Sequence, residues 1–187
     1  MFSKNKGVVV KIIYLGFISL LFCSSVFAVQ PGIGVSIGSM ETTIYIPVKM
    51  SGTFWYEGHI SHFDRSSDNG PTSSDWKSTL IGFGFFKGTR KRNNLSAYYG
   101  VRVSYVLTKS SYNSSGSCCD TVSDSDGFQL APTLGIEHYI LENLILGGEA
   151  DWMYQRIEGS HTSGPEKIDS KQKLNGTNTR ILLRYFF

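Results

Sequence analysis

The chain has 187 residues, which is enough for one domain. Its formal charge of +3 arises from 18 basic and 15 acidic residues, but Lys4, Lys6 and Lys11 stand in an N-terminal segment that contains no acid. The remainder is close to neutral, so composition gives no reason to expect a nucleic-acid partner. Beyond that segment the sequence contains no run of about 18 apolar residues, and no transmembrane helix is expected.

The N-terminal segment, residues 1–28, has the pattern of a secretory signal peptide. It opens with basic residues, continues through an apolar run over 8–22 and ends in a small residue, Ala28. Cys23 does not follow a small residue, which argues against lipid attachment there. We therefore expect cleavage after Ala28 and a mature domain of residues 29–187.

Eight segments of the mature chain have strand character, and none shows a sustained helical period. Between Ala97 and Leu107, for example, every second residue is apolar, and the positions between them include Gly100 and Arg102. Such alternation predicts strands with one apolar and one polar face. The predicted strands are Gly32–Ser39, Thr43–Met50, Thr53–Phe63, Ser78–Lys87, Ser96–Thr108, Gly127–Ile140, Leu144–Ile157 and Thr177–Phe187.

The connections between these strands alternate in length, apart from a short first one at Gly38–Thr42. Short periplasmic turns and longer extracellular loops distinguish the two ends of a membrane barrel. The pattern predicts an all-β fold, an eight-stranded antiparallel up-and-down transmembrane β-barrel. The predicted periplasmic turns are Ser51-Gly52, Gly88–Asn94 and Glu142-Asn143, and the predicted outer loops are Asp64–Trp76, Lys109–Asp126 and Glu158–Gly176.

Aromatic residues cluster near both ends of the predicted strands, as rings at two membrane interfaces would. A soluble β-domain, the alternative for an exported chain, would need neither these girdles nor a terminal Phe. The expected periplasmic girdle contains Phe54, Trp55, Tyr56, Phe85, Phe86, Tyr98, Tyr99, Tyr139, Tyr185 and Phe187, and the expected outer girdle contains Phe63, Trp76, Tyr105, Phe128, Trp152 and Tyr154.

Three stretches resemble the family of small eight-stranded outer-membrane β-barrels, which includes OmpX-like and OmpA-barrel-like proteins. They are TTIYIPVKMSGTFWYEGHISHF, GFQLAPTLGIEHYILENLILGGEADW and the closing TRILLRYFF. The resemblance covers the mature chain and implies a location in the cell outer membrane. Ile181, Leu183, Tyr185 and Phe187 resemble the signal that the barrel assembly machinery reads in that family, so this machinery is an expected partner.

The polar faces of the strands collect charges of both signs, which a low-dielectric interior would not leave unpaired. We expect them to interlock inside the barrel, because eight strands enclose a space only just wide enough for side chains. A gate, a proton path or a narrow pore is the alternative. The predicted interior network contains Glu57, His59, Arg102, Glu137, Glu149, Asp151, Arg180 and Arg184.

One short motif bears on enzyme chemistry. His59-Ile60-Ser61 resembles the His-x-Ser of lipid A deacylases, in which the His acts as base for a Ser nucleophile. Alternation places His59 and Ser61 on the lumen side together with Glu57, away from a lipid substrate. No catalytic residues and no enzyme activity are therefore expected, and a lipid A deacylase or acyltransferase remains the alternative.

Cys118 and Cys119 are adjacent in a predicted outer loop and in an oxidising compartment. A vicinal disulfide and a bond to a partner chain both remain open. No zinc spacing is present, and Asp120, Asp124 and Asp126 do not complete an EF-hand pattern, so neither metal nor cofactor is expected.

These observations favour a structural or surface-interaction protein, with adhesion or host contact made by its extracellular loops, since binding usually resides in loops on a rigid scaffold. The expected partners are outer-membrane lipid or lipopolysaccharide and an extracellular or host ligand, with no nucleic acid among them.

Overall fold

The computed structural model describes residues 29–38, 41–50, 53–69, 72–114, 121–163 and 166–187. Each strand pairs antiparallel with its sequence neighbours, and the last strand pairs with the first, so the sheet closes into a barrel. Within the described ranges, no helix is long and apolar enough to cross a membrane. The strands are β1 Gln30–Gly38, β2 Thr42–Lys49, β3 Phe54–Asp68, β4 Thr72–Gly88, β5 Leu95–Ser114, β6 Thr121–Tyr139, β7 Leu144–Ser163 and β8 Glu166–Phe186.

The register around the ring defines how far the strands tilt. Followed from Ser36 through the successive pairings, it reaches Gln172 on β8, whereas Ser36 itself pairs with Leu182, ten residues farther along that strand. For eight strands, this stagger corresponds to a tilt of roughly 35–45° from the barrel axis. The interior is consequently narrow and filled by side chains.

The outer surface of the barrel carries a belt of large apolar side chains. Leu134 and Ile181 are each 67% exposed, and Ile136 is 63% exposed. A belt of this size would be an aggregation surface in water, whereas closure of the sheet satisfies the backbone hydrogen bonds that a lipid environment cannot. The barrel is thus built to span a membrane.

An aromatic cluster fills the lumen near the end that contains the termini. Trp55 stacks on Phe86 at 5.4 Å between ring centroids, and Tyr98 meets Trp55 edge-on at 5.1 Å. These three rings were expected in the periplasmic girdle, and that assignment was wrong; Tyr139 of the same girdle, and Phe63 and Trp76 of the outer girdle, also occupy inward positions. Alternation turns them inward, while their neighbours on the strands face lipid; a Cβ at Gly135 would overlap the Tyr98 ring, so a glycine makes the space.

The β4–β5 connection is a tight turn. Asn93 and Asn94 have positive φ angles of 50° and 61°, and Arg92 and Leu95 exchange backbone hydrogen bonds of 2.8 and 2.9 Å. Two residues of positive φ match a type I′ hairpin, and Asn tolerates that region better than most residues. The sequence thus supplies a short turn at this end of the barrel.

The predicted long outer loops are mostly strand, which corrects the sequence-based boundaries. Pairing continues to Asp68↔Ser73 between β3 and β4, and to Tyr112↔Thr121 between β5 and β6. It continues to Ser163↔Glu166 between β7 and β8. Six strands therefore rise well beyond β1 and β2, which have only 9 and 8 residues. We call the described residues within 63–78, 106–127 and 157–174 the outer extension.

Charged residues of the outer extension lie mostly on its outward face, whereas the outward face of the membrane part is the apolar belt. Its register continues from the barrel without a bulge, so alternation assigns each side chain to a face. The inward positions are mainly Ser and Thr, with a few apolar residues and Arg65, which pairs with Trp76 in the β3–β4 register. The charged residues on the outward positions are Asp64, Asp68, Asp75, Lys77, Lys109, Asp124, Asp126, Glu158, Asp169, Lys171 and Lys173.

Candidate functional site

Arg184 lies at the centre of the charged lumen and is fully buried. Its Nη1 donates to Glu137 Oε1 at 2.7 Å, and its Nη2 donates to Glu57 Oε2 at 2.7 Å and to Glu149 Oε1 at 3.0 Å. One guanidinium on β8 thereby joins carboxylates from three other strands. Such charge-assisted bonds fix the side chains as well as neutralising them.

Arg102 on β5 binds two of the same carboxylates from the other side. Its Nε and Nη2 donate to Glu57 Oε1 at 3.0 and 2.8 Å, and Nη2 also donates to Glu149 Oε1 at 2.8 Å. Tyr98 donates its hydroxyl hydrogen to Glu149 as well. The sequence analysis did not include Tyr98 among the lumen residues, although its position on the polar face of β5 was available as a signal.

Arg180 forms a second part of the network, closer to the outer end. It pairs with Asp151, and its Nη1 donates to Tyr45 Oη at 3.0 Å and to Glu41 Oε1 at 3.3 Å. Glu41 and Tyr45 were also missed by sequence reasoning. Glu41 stands in the β1–β2 connection, where alternation assigns no face; burial there raises the pKa of its carboxyl, an effect that nearby Arg180 partly offsets.

The network is enclosed above and below by other buried side chains. The aromatic cluster lies toward the termini, and Leu80, Val106 and Ile157 are buried toward the outer extension. Val106 and Arg184 have no measurable exposure. Charged, aromatic and aliphatic layers together pack the described lumen as a protein core.

His59 and Ser61 lie in the lumen but do not contact each other as a base and nucleophile would. His59 Nε2 lies 2.9 Å from Ser104 Oγ, and Ser61 Oγ lies 2.8 Å from Thr43 Oγ1. Both serines are buried. Glu57, the acid nearest in sequence, is held by the two arginines, so the geometry that the His-x-Ser alternative needs is not formed.

The outer extension encloses an open cavity of about 280 Å³ on its inward face. Ile157 and Thr108 are buried at its base, and Ser78 and Thr108 share a hydroxyl contact of 3.4 Å beneath it. We call this space the outer cup. Its lining residues are Trp76, Thr108, Ser110, Ser123, Ser125, Ile157, Ser170, Gln172 and Leu174.

The remaining sequence-predicted residues divide into described and undescribed ones. Ile181, Leu183, Tyr185 and Phe187 occupy alternate outward positions of the last strand, with 5.5 Å between the Tyr185 and Phe187 ring centroids. Cys118–Cys119 lies outside the described residues, as does the expected signal peptide. Among the side chains that the structure does describe, no group of three or more His, Cys, Asp or Glu is placed to hold a metal ion.

Sequence comparison finds no relatives: no family model matches the chain, and no curated protein matches it. Comparison of structures does find similar folds. A major outer membrane protein from Thermus thermophilus superposes with a TM-score of 0.64 and 10% identity, over 86% of this chain and 100% of that one.

Two further barrels superpose more loosely. CarO2 of Acinetobacter baumannii gives a TM-score of 0.50 at 10% identity, over 84% of this chain and 98% of that chain. The N-terminal β-barrel domain of Pseudomonas aeruginosa OprF gives 0.50 at 9%, over 85% and 96%. At these identities the likeness concerns the fold: this chain has the small outer-membrane β-barrel fold. The fold and the apolar belt agree with the outer-membrane location that the sequence indicated.

Proposed function

We propose that this protein is a non-enzymatic surface-interaction barrel, whose outer extension contacts molecules outside the cell. The observation that carries the proposal is the continuation of six hydrogen-bonded strands beyond the apolar belt, with their charges on the outward face. A membrane anchor alone would need strands of only about 9–11 residues. Rigid strands that continue past this length supply a preformed surface for binding.

The packed lumen supports the same proposal. Three arginines are held by carboxylates from several strands, between layers of buried aromatic and aliphatic side chains. Such a lumen suits a scaffold better than a conduit. Steady ion conductance of the purified protein in planar bilayers would favour the narrow-pore alternative instead.

The orientation belongs to the proposal and can be tested separately. In a background without Cys118 and Cys119, we expect Asn113→Cys in the outer extension to react with an impermeant thiol reagent on intact cells. Asn143→Cys, in the turn between β6 and β7, should react only after the cells are opened. The reverse pattern would contradict an extracellular role for the extension.

The contact role is tested by shortening the extension while keeping the barrel. Asp64 and Lys77, Lys109 and Asp124, and Glu158 and Lys171 are cross-strand register pairs that can each be joined by an Asn-Gly turn. We expect the shortened protein to keep heat-modifiable gel migration, which reports a folded barrel. Cells that produce it should adhere less to host-cell layers and matrix proteins than cells with the full protein, and equal adhesion would contradict the proposal.

A further inference from the structure

The outer cup differs in charge from the outward face of the strands that form it. None of its nine lining residues is charged, although the same strands carry acidic and basic residues at alternate positions. On β6, for example, Ser123 and Ser125 line the cup while Asp124 between them faces outward. Alternation thus places most charges of these strands on the convex face; Arg65, opposite Trp76, is an inward charge outside the nine lining residues.

The cup presents both apolar surface and hydrogen-bonding groups. Trp76 is 42% exposed, and its ring packs edge-on against Phe63 at 5.5 Å between centroids, which fixes its orientation. The hydroxyl-bearing residues Ser110, Ser123 and Ser170 also line the cup. An amide from Gln172 lies beside them. The cup therefore offers an aromatic side chain next to several hydroxyl groups and an amide.

These features select one class of ligand. An anionic ligand would find no cation among the nine lining residues, since Arg65, opposite Trp76, lies outside that lining, and burying an unpaired charge is costly. A purely apolar ligand would leave the Ser and Gln groups without partners. A neutral saccharide satisfies both requirements, because its C–H face can cover an indole ring and its hydroxyls can exchange hydrogen bonds with Ser, Thr and Gln. A cavity of about 280 Å³ suits one or two sugar units.

We propose that the outer cup is a binding site for neutral saccharide units, with Trp76 as the stacking platform and Ser123, Ser125, Ser170 and Gln172 as the hydrogen-bonding groups. The site rests on the proposed function in that the outer extension must face the outside of the cell. Binding is measured on purified protein, so it can succeed or fail independently of adhesion by cells.

The experiment uses the intrinsic fluorescence of the full-length mature barrel in lipid nanodiscs. Among its three tryptophans, Trp55 is sealed in the lumen and Trp152 faces lipid, so a change in emission on adding sugar reports on Trp76. Lactose, maltose and diacetylchitobiose are the neutral probes, and 3′-sialyllactose is the anionic one. We expect saturable binding of at least one neutral sugar at millimolar concentrations, at least tenfold tighter than sialyllactose.

The variants separate the cup from the rest of the surface, with binding measured by calorimetry. Trp76→Ala should weaken neutral-sugar binding at least tenfold, Trp76→Tyr should restore most of it, and Gln172→Ala should weaken it several-fold. Trp152→Phe is the matched control on the lipid face and should bind as the parent does. The proposal is overturned if no neutral probe binds, if sialyllactose binds as tightly, or if Trp76→Ala retains parental affinity while remaining heat-modifiable.

Discussion

The membrane part of the barrel and the outer extension use the same two-residue alternation with opposite results. On β6, Leu134 faces outward and Glu137 inward in the membrane part, whereas Asp124 faces outward and Ser125 inward in the extension. The strand and its register are continuous between them. The period therefore specifies the strand, and the surroundings decide which face is charged: lipid excludes charge from the outside of the barrel, while water admits it around the extension.

The largest expected effect comes from the charged interior of the membrane part. Arg184→Ala leaves Glu57, Glu137 and Glu149 without their shared cation, and breaking a buried ion pair of this kind costs about 3–5 kcal/mol. Denaturant unfolding of the purified barrel in lipid vesicles measures the change. The matched control is Lys173→Ala, outward on the same strand, which should stay within about 0.5 kcal/mol of the parent. Equal losses would contradict a difference between the two regions.

The second prediction compares two outward positions of β6, one in the apolar belt and one in the outer extension. Leu134→Arg places a charge in the apolar belt and should destabilise the barrel by about 2–4 kcal/mol. Val122→Arg, outward on β6 in the extension, should change the free energy of unfolding by no more than about 0.5 kcal/mol. If both variants unfolded alike, the belt would not end between these positions.

A third, smaller effect concerns assembly of the membrane part. Phe187 is 71% exposed and packs only against Tyr185 among the aromatic rings of the described chain, so its removal costs little core packing. We nevertheless expect Phe187→Asp to reduce the heat-modifiable fraction in membranes several-fold, because the terminal residue is predicted to be part of the assembly signal. Phe187→Tyr is the control. Normal assembly of the Asp variant would remove this residue from the predicted signal.

The smallest effect lies on the outward face of the extension. Hydrogen bonds from Arg156 and Lys171 lower the pKa of the Glu158 carboxyl below its ordinary value. Its contribution to stability is therefore complete above the unfolded-state pKa and is lost as the pH falls through the lower folded-state pKa. Glu158→Gln should unfold slightly more easily than the parent at pH 7 and identically in strong acid. A difference that grows in acid would contradict the ion-pair assignment.

The sequence predicted the strands of the membrane part because residues that face lipid must be apolar. Apolar residues therefore alternate with polar or small ones along these strands. In Gly127–Tyr139 every outward residue from Phe128 to Ile136 is apolar, which gives a clear period of two. The extension has no such contrast. In Lys109–Ser114 both faces are polar, so the stretch has the composition of a loop, and the ladder to β6 is what makes it a strand.

The sequence predicted which residues face the lumen but not which of them contact each other. Alternation assigns Arg180 and Asp151 to the interior, yet only the β7–β8 register, in which Arg180 lies opposite Glu149 and Asp151 opposite Asn178, brings them together. Glu41 required the path of the β1–β2 connection, and its contact with Arg180 joins residues 139 positions apart in sequence. Neither the relative position of paired strands nor the path of the β1–β2 connection can be read from a local sequence pattern.

The unequal strand lengths also determine how long the closed barrel persists. β1 meets β8 through only seven register pairs, from Gly32↔Phe186 to Gly38↔Arg180, whereas β7 and β8 pair from Leu144 to Ser163. This seam joins the two ends of the chain, so it has the largest loop-closure entropy to overcome and forms after the hairpins. We expect the amides of Gly32–Gly38 to exchange hydrogen with solvent earliest among the strands. The lifetime of the barrel in the membrane is then governed by this seam between its first and last strands, whatever the length of the strands on the opposite side.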